Sequence, residues 1–420
     1  MSSIRLAIVG CGGMGHRHLY GLGELHRQGL SPFRLVAACD PNRGNAESLA
    51  DDAAELFDHR PAVVTDLDAL AEVGVDAIDT PTLPRVHHDV AIGALERGWH
   101  CMVEKPVGLT VRACNLIAAA AKDRPQVLSV AENYRRDPMN RLARALLDAG
   151  VIGDPRLLIH HSMGGNGNRM LISVWRHQKN QSGLLLDVGV HFTDMMEYLL
   201  GPITTVYAQT RLHEKVRINP AARGDASASN PAGVYGKWQK EMPAEFEATA
   251  EDAAYATLEF ASAASGQYIE DHAIHGEGSW LRQIQGSIGS MNLPPDRRGA
   301  PLSLNIEGKE IDGEGALELV PDFHLDEATA QLFGGERLSR YDFEFPEIDR
   351  KVIATEYADF GRAILEGRPP EVGIEQGTRS VAVSYAMMES GQSGQIVTID
   401  DVIGERIDGY QAEINDDLGI

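Results

Sequence analysis

Through the first third of the chain, short apolar runs alternate with stretches of helical periodicity. IRLAIVG (4–10), FRLVAACD (33–40), AIDTP (77–81), WHCMVEKP (99–106) and QVLSVAEN (126–133) are almost continuously apolar and rich in β-branched residues. Such runs read as strands buried on both faces. Between them, stretches such as Val86–Arg97 and Thr110–Lys122 carry helical spacing, and Gly29 and Pro32 break the first helix. Strand and helix in alternation predict an α/β domain with a doubly wound parallel sheet, over residues 1–137.

After about residue 137 the pattern changes. PRLLIHHSMGG (155–165), VYAQTRLHE (206–214), ATLEFASAASGQYIE (256–270) and SIGSMNL (287–293) read as strands separated by turns. Residues 184–200 read as one helix stopped by Gly201 and Pro202, and further helices are expected at 351–366 and 375–390. Residues 215–250, rich in Ala, Gly, Asn and Pro, read as a long surface loop, and 294–345 as irregular. The expectation for 138–420 is an α+β domain with a largely antiparallel open sheet.

Charge narrows the function classes. The 420 residues include 38 basic and 61 acidic side chains, for a net charge of −23. Such a surface argues against nucleic acid and anionic membranes as partners. No apolar run approaches the roughly 18 residues that span a bilayer, and the opening MSSIRLAIVGCGG lacks the features of an export signal. Cys11, Cys39, Cys101 and Cys114 are scattered without a C-x-x-C pair. Neither a metal site nor a disulfide framework is suggested, and a cytoplasmic setting fits.

The first apolar run ends in G-C-G-G-M-G, which puts Gly10, Gly12 and Gly15 at the dinucleotide-fingerprint spacing, with Gly13 and Met14 in the same turn. There the glycines give a tight turn, close approach to a pyrophosphate and close helix–strand packing. Asp40 ends the second run and is placed to accept hydrogen bonds from the adenosine ribose, which favours NAD; Arg43 nearby leaves NADP open, and a plain helix cap is the alternative for Asp40. Thr80, Pro81 and Thr82 end the third run and are candidate cofactor contacts. His87 on the next helix joins them, although by itself it reads as a surface histidine. Glu104, Lys105 and Pro106 end the fourth long run, where a lysine can stabilise negative charge on a substrate oxygen. Finally, LLLDVGVHFTD (184–194) sets Asp187, His191 and Asp194 at helical spacing along one stripe of an apolar segment.

Together, the opening LAIVGCGGMGHRHL, the E-K-P turn, ENYRRDP, VWRHQ and D-x-G-x-H-x-x-D resemble the Gfo/Idh/MocA oxidoreductases over nearly the whole chain. The resemblance implies a Rossmann domain followed by an α+β domain that binds substrate and assembles subunits into a homodimer or homotetramer. It implies a sugar, sugar derivative or cyclic polyol as substrate, with a secondary hydroxyl oxidised, or the ketone reduced, by hydride transfer. Lys105, Asp187 and His191 take the catalytic roles, His191 as proton donor and acceptor. Trp175 and Arg176 resemble a W-R pair near the nicotinamide, and Glu132-Asn133-Tyr134-Arg135 a segment lining the same site, with Asn133 toward cofactor and Tyr134 and Arg135 toward substrate. Two departures stand out: Gln181-Ser182-Gly183 replaces a run of three glycines, and the loop between Thr82 and His87 is longer. Two other readings keep the fold: NAD-dependent glycoside cleavage through transient oxidation, and a non-catalytic NAD-binding regulator. For Asp187 and His191 the structural alternative is a buried pair that only locks a helix.

Overall fold

The computed structural model describes residues 3–164, 167–225 and 228–420; the expected strand end at Gly165 lies outside them. Its main-chain contacts divide the chain into two units. One comprises residues 1–133, 349–378 and 420, the other 134–348 and 379–419. The sequence suggests a single cut at 137, whereas contacts also give the first unit a segment from far along the chain.

In the first unit, β1 (Ile4–Val9), β2 (Phe33–Cys39), β3 (Ala62–Val64), β4 (Ala77–Thr80), β5 (His100–Glu104) and β6 (Leu128–Ala131) form one sheet in the order β3-β2-β1-β4-β5-β6. Every pairing is parallel. This is the Rossmann strand order, whose ligand site lies beyond the carboxyl ends of the strands. Helices α1 (Gly13–Arg27), α2 (Arg43–Leu56), α3 (Leu67–Val73), α4 (His87–Glu96) and α5 (Val111–Ala121) connect the strands. Asn42, Asp66 and Thr110 start three of them by accepting a main-chain N–H from the first turn. The three-residue β3 is too short to show as an apolar run. It moves the Thr80-Pro81-Thr82 turn to the end of the fourth strand and E-K-P to the end of the fifth.

The distant segment belongs here because it packs on α1 and on strands of the sheet. Within the Phe345–Glu366 helix, Ile353 lies so close to α1 that a Cβ on Gly21 would meet its side chain at 2.4 Å. Phe360 stacks on Phe33 with ring centroids 5.8 Å apart, and Val130 N donates to Val372 O at 2.9 Å.

The second unit starts with α6 (Pro138–Asp148), followed by β7 (Pro155–Met163), α7 (Leu184–Asp187), α8 (Gly189–Leu200) and β8 (Ile203–Arg211). A pair of three-residue strands, β9 (Val216–Ile218) and β10 (Glu245–Glu247), forms a separate antiparallel ladder. Then come β11 (Ala253–Phe260), β12 (Ser265–Asp271), β13 (Ser279–Gly286), β14 (Gly289–Leu293), β15 (Ser303–Ile306), β16 (Lys309–Ile311) and β17 (Val397–Thr398). The main sheet has nine strands in the order β16-β15-β14-β13-β7-β12-β11-β8-β17. Only β7 and β12 pair in parallel; the other ladders are antiparallel.

Two expected loops therefore contain structure. The 215–250 stretch holds β9, β10 and a Gly236–Glu241 helix, and 294–345 holds β15, β16 and helices Gly313–Glu318 and Glu327–Phe333. Each is three to seven residues long, too short for a period to register. The expected 184–200 helix is broken at Val188, between α7 and α8. Valine followed by glycine is a weak helical pair, and His191 N bonds back three residues to Val188 O. No helix among the described residues is long and apolar enough to cross a membrane.

Candidate active site

Each unit carries its own part of the candidate chemistry. In the first, the three fingerprint glycines sit in different surroundings. Gly10 has φ +103°, and a Cβ there would meet Pro81 C and O and Thr82 Cγ2 at 2.9 Å. A Cβ on Gly15 would lie 2.2 Å from Gly10 O, so only glycine lets α1 pack on the turn. A Cβ on Gly12 would meet nothing within 4 Å; this glycine opens toward free space at the start of α1. Close packing accounts for Gly10 and Gly15. At Gly12 the open space lies at a helix start, where main-chain N–H groups point outward. Gly13 and Met14 are the first two residues of α1, and Met14 Sδ lies 3.3 Å from Arg17 Nη1.

Asp40 follows β2 and ties the turn down: its carboxylate accepts Cys11 N and Asn42 N, each at 2.8 Å. A carboxylate has about four acceptor positions, so capacity remains for ribose hydroxyls. Arg43 is exposed and pairs with Glu47. Thr80 needs correction as a cofactor contact, because it is wholly buried in β4 with its hydroxyl 3.7 Å from Cys101 Sγ. Pro81 and Thr82 do border the glycine turn. Thr82 Oγ1 and Asn133 Oδ1, after β4 and β6, are buried polar atoms without a hydrogen-bond partner. Such atoms at strand ends suit a polar ligand.

His87 also differs from expectation. It is fully buried, with Nδ1 2.8 Å from Pro106 O and Nε2 3.2 Å from Thr82 O. Burial lowers its pKa, so the ring is neutral and donates to one carbonyl, and its contacts brace the strand-end turns. Glu104 is likewise turned inward. Its Oε1 is 3.1 Å from His18 Nε2, and His18 Nδ1 is 2.9 Å from Asp79 Oδ2, which also accepts the Tyr357 hydroxyl at 2.5 Å. Burial alone would pull the His18 pKa down, but Asp79 and Glu104 together hold it well above the ordinary histidine value. Lys105 is half-buried at the end of β5, beside this cluster in sequence.

In the second unit, the acids of the D-x-G-x-H-x-x-D segment are answered by arginines. Asp187 accepts Arg176 Nε at 2.7 Å, and Asp194 accepts Arg135 Nε at 2.8 Å and Nη2 at 2.5 Å. All four residues are buried. Arg176 and Arg135, expected near nicotinamide and substrate, instead bind these carboxylates; Arg176 also lies 4.1 Å over the Trp175 ring. His191 lies between the two acids in sequence, 7% exposed, stacked on Tyr134 with ring centroids 4.1 Å apart and planes 3° from parallel.

Other buried polar groups surround these residues. Glu270, fully buried on β12, accepts the Tyr268 hydroxyl at 2.5 Å and sits 2.7 Å from His272 Nε2. A Cβ on Gly189 would come within 3.0 Å of Glu270 Oε2 and 3.3 Å of Tyr268 Oη, which explains the glycine of D-x-G-x-H. The available signal was an acid ending an apolar strand run. His177 is neutral: burial, then nearby Arg217, lower its pKa to about 3, and its Nε2 accepts Leu171 N. The Ser182 hydroxyl, where three glycines were expected, is buried without a partner.

The strand order of the first unit is that of dinucleotide-binding Rossmann domains. The chain belongs to the Gfo/Idh/MocA oxidoreductase family: residues 4–132 match its NAD-binding Rossmann fold and residues 144–399 its C-terminal alpha/beta domain. It is 27% identical to levoglucosan dehydrogenase of Pseudarthrobacter phenanthrenivorans over 403 residues, covering 93% of this chain and 96% of that protein. It is 24% identical to scyllo-inositol 2-dehydrogenase (NAD(+)) of Bacillus subtilis over 402 residues, covering 94% and 96%. A structure of levoglucosan dehydrogenase in complex with NADH and L-sorbose shares the fold with TM-score 0.73 at 21% identity, covering 96% of this chain and 100% of that one. The first unit is thus an NAD-binding domain in an oxidoreductase.

Proposed function

We propose that this enzyme oxidises a secondary hydroxyl of a sugar, sugar derivative or cyclic polyol, or reduces the corresponding ketone. The observation that carries this reading is that one chain keeps the glycine turn, Lys105 and the Asp187–His191 segment while matching levoglucosan dehydrogenase and scyllo-inositol 2-dehydrogenase over nearly its full length. Gly10, Gly12, Gly13, Asp40, Thr82 and Asn133 are the residues that would hold NAD, which when bound supplies the hydride acceptor. A ring nitrogen of His191 takes the hydroxyl proton, the general-base role that histidine most often fills. The Lys105 ammonium stabilises the developing alkoxide. Asp187, held by Arg176, is the acid that would orient His191.

A panel of cyclic polyols, free sugars and glycosides with NAD and NADP, read at the reduced-nicotinamide band, tests the class. Net NADH formation on a polyol or sugar is expected. Turnover of a glycoside that needs NAD without net reduction would replace this reading with glycoside cleavage, and no turnover on any compound would favour a regulator. His191→Ala and Lys105→Ala are each expected to lower kcat at least about a hundredfold while NAD still binds.

The outer face of the nine-stranded sheet supports association of two copies of this chain. Its register aligns Ser303, Asn292, Gln283, Ile159, Gln267, Thr257 and Tyr207 across seven strands, and Leu281, His161, Ile269, Tyr255 and Gln209 in the next row. These rows contain no Asp, Glu, Lys or Arg, in a chain of net charge −23. Depletion of charge across a broad exposed patch is the compositional mark of an interface core, and a self-complementary face gives a homodimer.

A further inference from the structure

We infer that Tyr134 is a positioning residue that fixes the plane of the His191 imidazole through its ring. The inference rests on the reading of His191 as proton acceptor and assigns Tyr134 a role other than contact with substrate. The two rings lie 4.1 Å apart between centroids and 3° from parallel, a parallel stack. Tyr134 is itself held from several sides. Asn140 Nδ2 donates to its carbonyl at 2.9 Å. The Arg297 guanidinium carbon is 4.6 Å from its ring centroid, and Arg297 Nη2 is 3.3 Å from its hydroxyl. Phe192 meets the ring edge-on at 6.2 Å.

Arg297 is anchored in turn. Its main chain has φ +57°, and its N–H donates to Asp137 Oδ2 at 2.7 Å. Asp137 also accepts the Tyr341 hydroxyl and caps α6 by accepting Met139 N. The support therefore runs from the start of α6, through the 296–298 turn, to the Tyr134 ring and on to His191. An imidazole covered on one face by an immobile ring cannot turn about its Cβ–Cγ bond without losing that contact. Its nitrogens stay aimed in one direction before substrate arrives. A proton acceptor displaced by about an ångström loses on the order of a hundredfold in rate. Because the ring face makes the stack and Arg297 also lies over the ring, the phenol hydroxyl matters less than the ring plane.

The test uses the full-length enzyme with NAD and whichever substrate the panel identifies. Tyr134→Phe is expected to keep kcat within about threefold, while Tyr134→Leu lowers kcat at least about tenfold with a smaller change in KM. Tyr134→Met, which fills space without a planar face, serves if the leucine variant does not fold. In a His191→Asn background, Tyr134→Leu is expected to cost nothing further, since a residue acting through another is silent once that other is gone. The inference is overturned if Phe is as damaging as Leu, if Leu and Met leave kcat unchanged, or if the Tyr134 and His191 losses multiply. A His191→Asn enzyme with wild-type kcat would sink the reading of His191 and this inference with it. An impaired His191→Asn enzyme beside an unimpaired Tyr134→Leu enzyme would sink this inference alone.

Discussion

Three glycines in one turn make separable predictions. Gly12 has open space where a side chain would project, whereas Gly15 has Gly10 O at 2.2 Å. Gly12→Ala is therefore expected to change stability by less than about 1 kcal/mol while weakening NAD binding at least about tenfold, because the added methyl enters the space where a diphosphate would sit. Gly15→Ala is expected to lose about 3 kcal/mol through forced repacking of α1. Thermal unfolding and titration of NADH fluorescence separate the two; equal losses of stability would refute the distinction. The same scale shows what a motif can and cannot tell. The G-x-G-x-x-G spacing marked the two positions, Gly10 and Gly15, where close packing admits only glycine. The side chains of Thr80, Glu104 and His87 were misjudged because their partners, Cys101, His18 and Pro106, come from other strands, helices and turns.

At the scale of elements, the His18 cluster joins α1 to β4 and β5 and to the Phe345–Glu366 helix. The Asp79–Tyr357 contact spans 278 residues of sequence, beyond the reach of any periodicity. Its pH dependence has a definite sign. The folded-state pKa of His18 is raised, so its contribution is complete below the unfolded value of about 6.5 and is lost as pH rises through the folded one. The melting-temperature gap between the wild type and His18→Gln should therefore narrow steadily from pH 7 to pH 9. A gap that stays constant or widens would show that His18 does not carry its charge in the fold. The helix break at Val188 belongs to this scale too. The apolar stripe of 184–200 was legible as helix, but not the packing of Gly189 on Glu270 and Tyr268, nor the arginines that take its acids.

For the whole molecule, the fold class was readable because long apolar runs and a strong strand–helix alternation specify a Rossmann sheet almost alone. Edge strands of three residues and the small elements within 215–250 and 294–345 were not, since each is stabilised by its neighbours rather than by its own pattern. The uncharged rows on the outer sheet face make the prediction proper to this scale. Ile159→Glu, at the centre of the seven-residue row, should convert a dimer to a monomer in light scattering at unchanged helix and strand content. A monomeric wild type, or a dimer indifferent to the glutamate, would remove that face as the contact.

The first unit's debt to residues 349–378 bears on how the polypeptide matures. A nascent chain emerging from the ribosome can pair all six parallel strands long before the aromatic lid over Phe33 exists. The sheet must wait, partly uncovered, until some two hundred further residues have been translated. A shortened gene ending near residue 137 would thus encode an orphaned half-core with a sticky surface, and a practical nucleotide-binding fragment would need the distant helix grafted back.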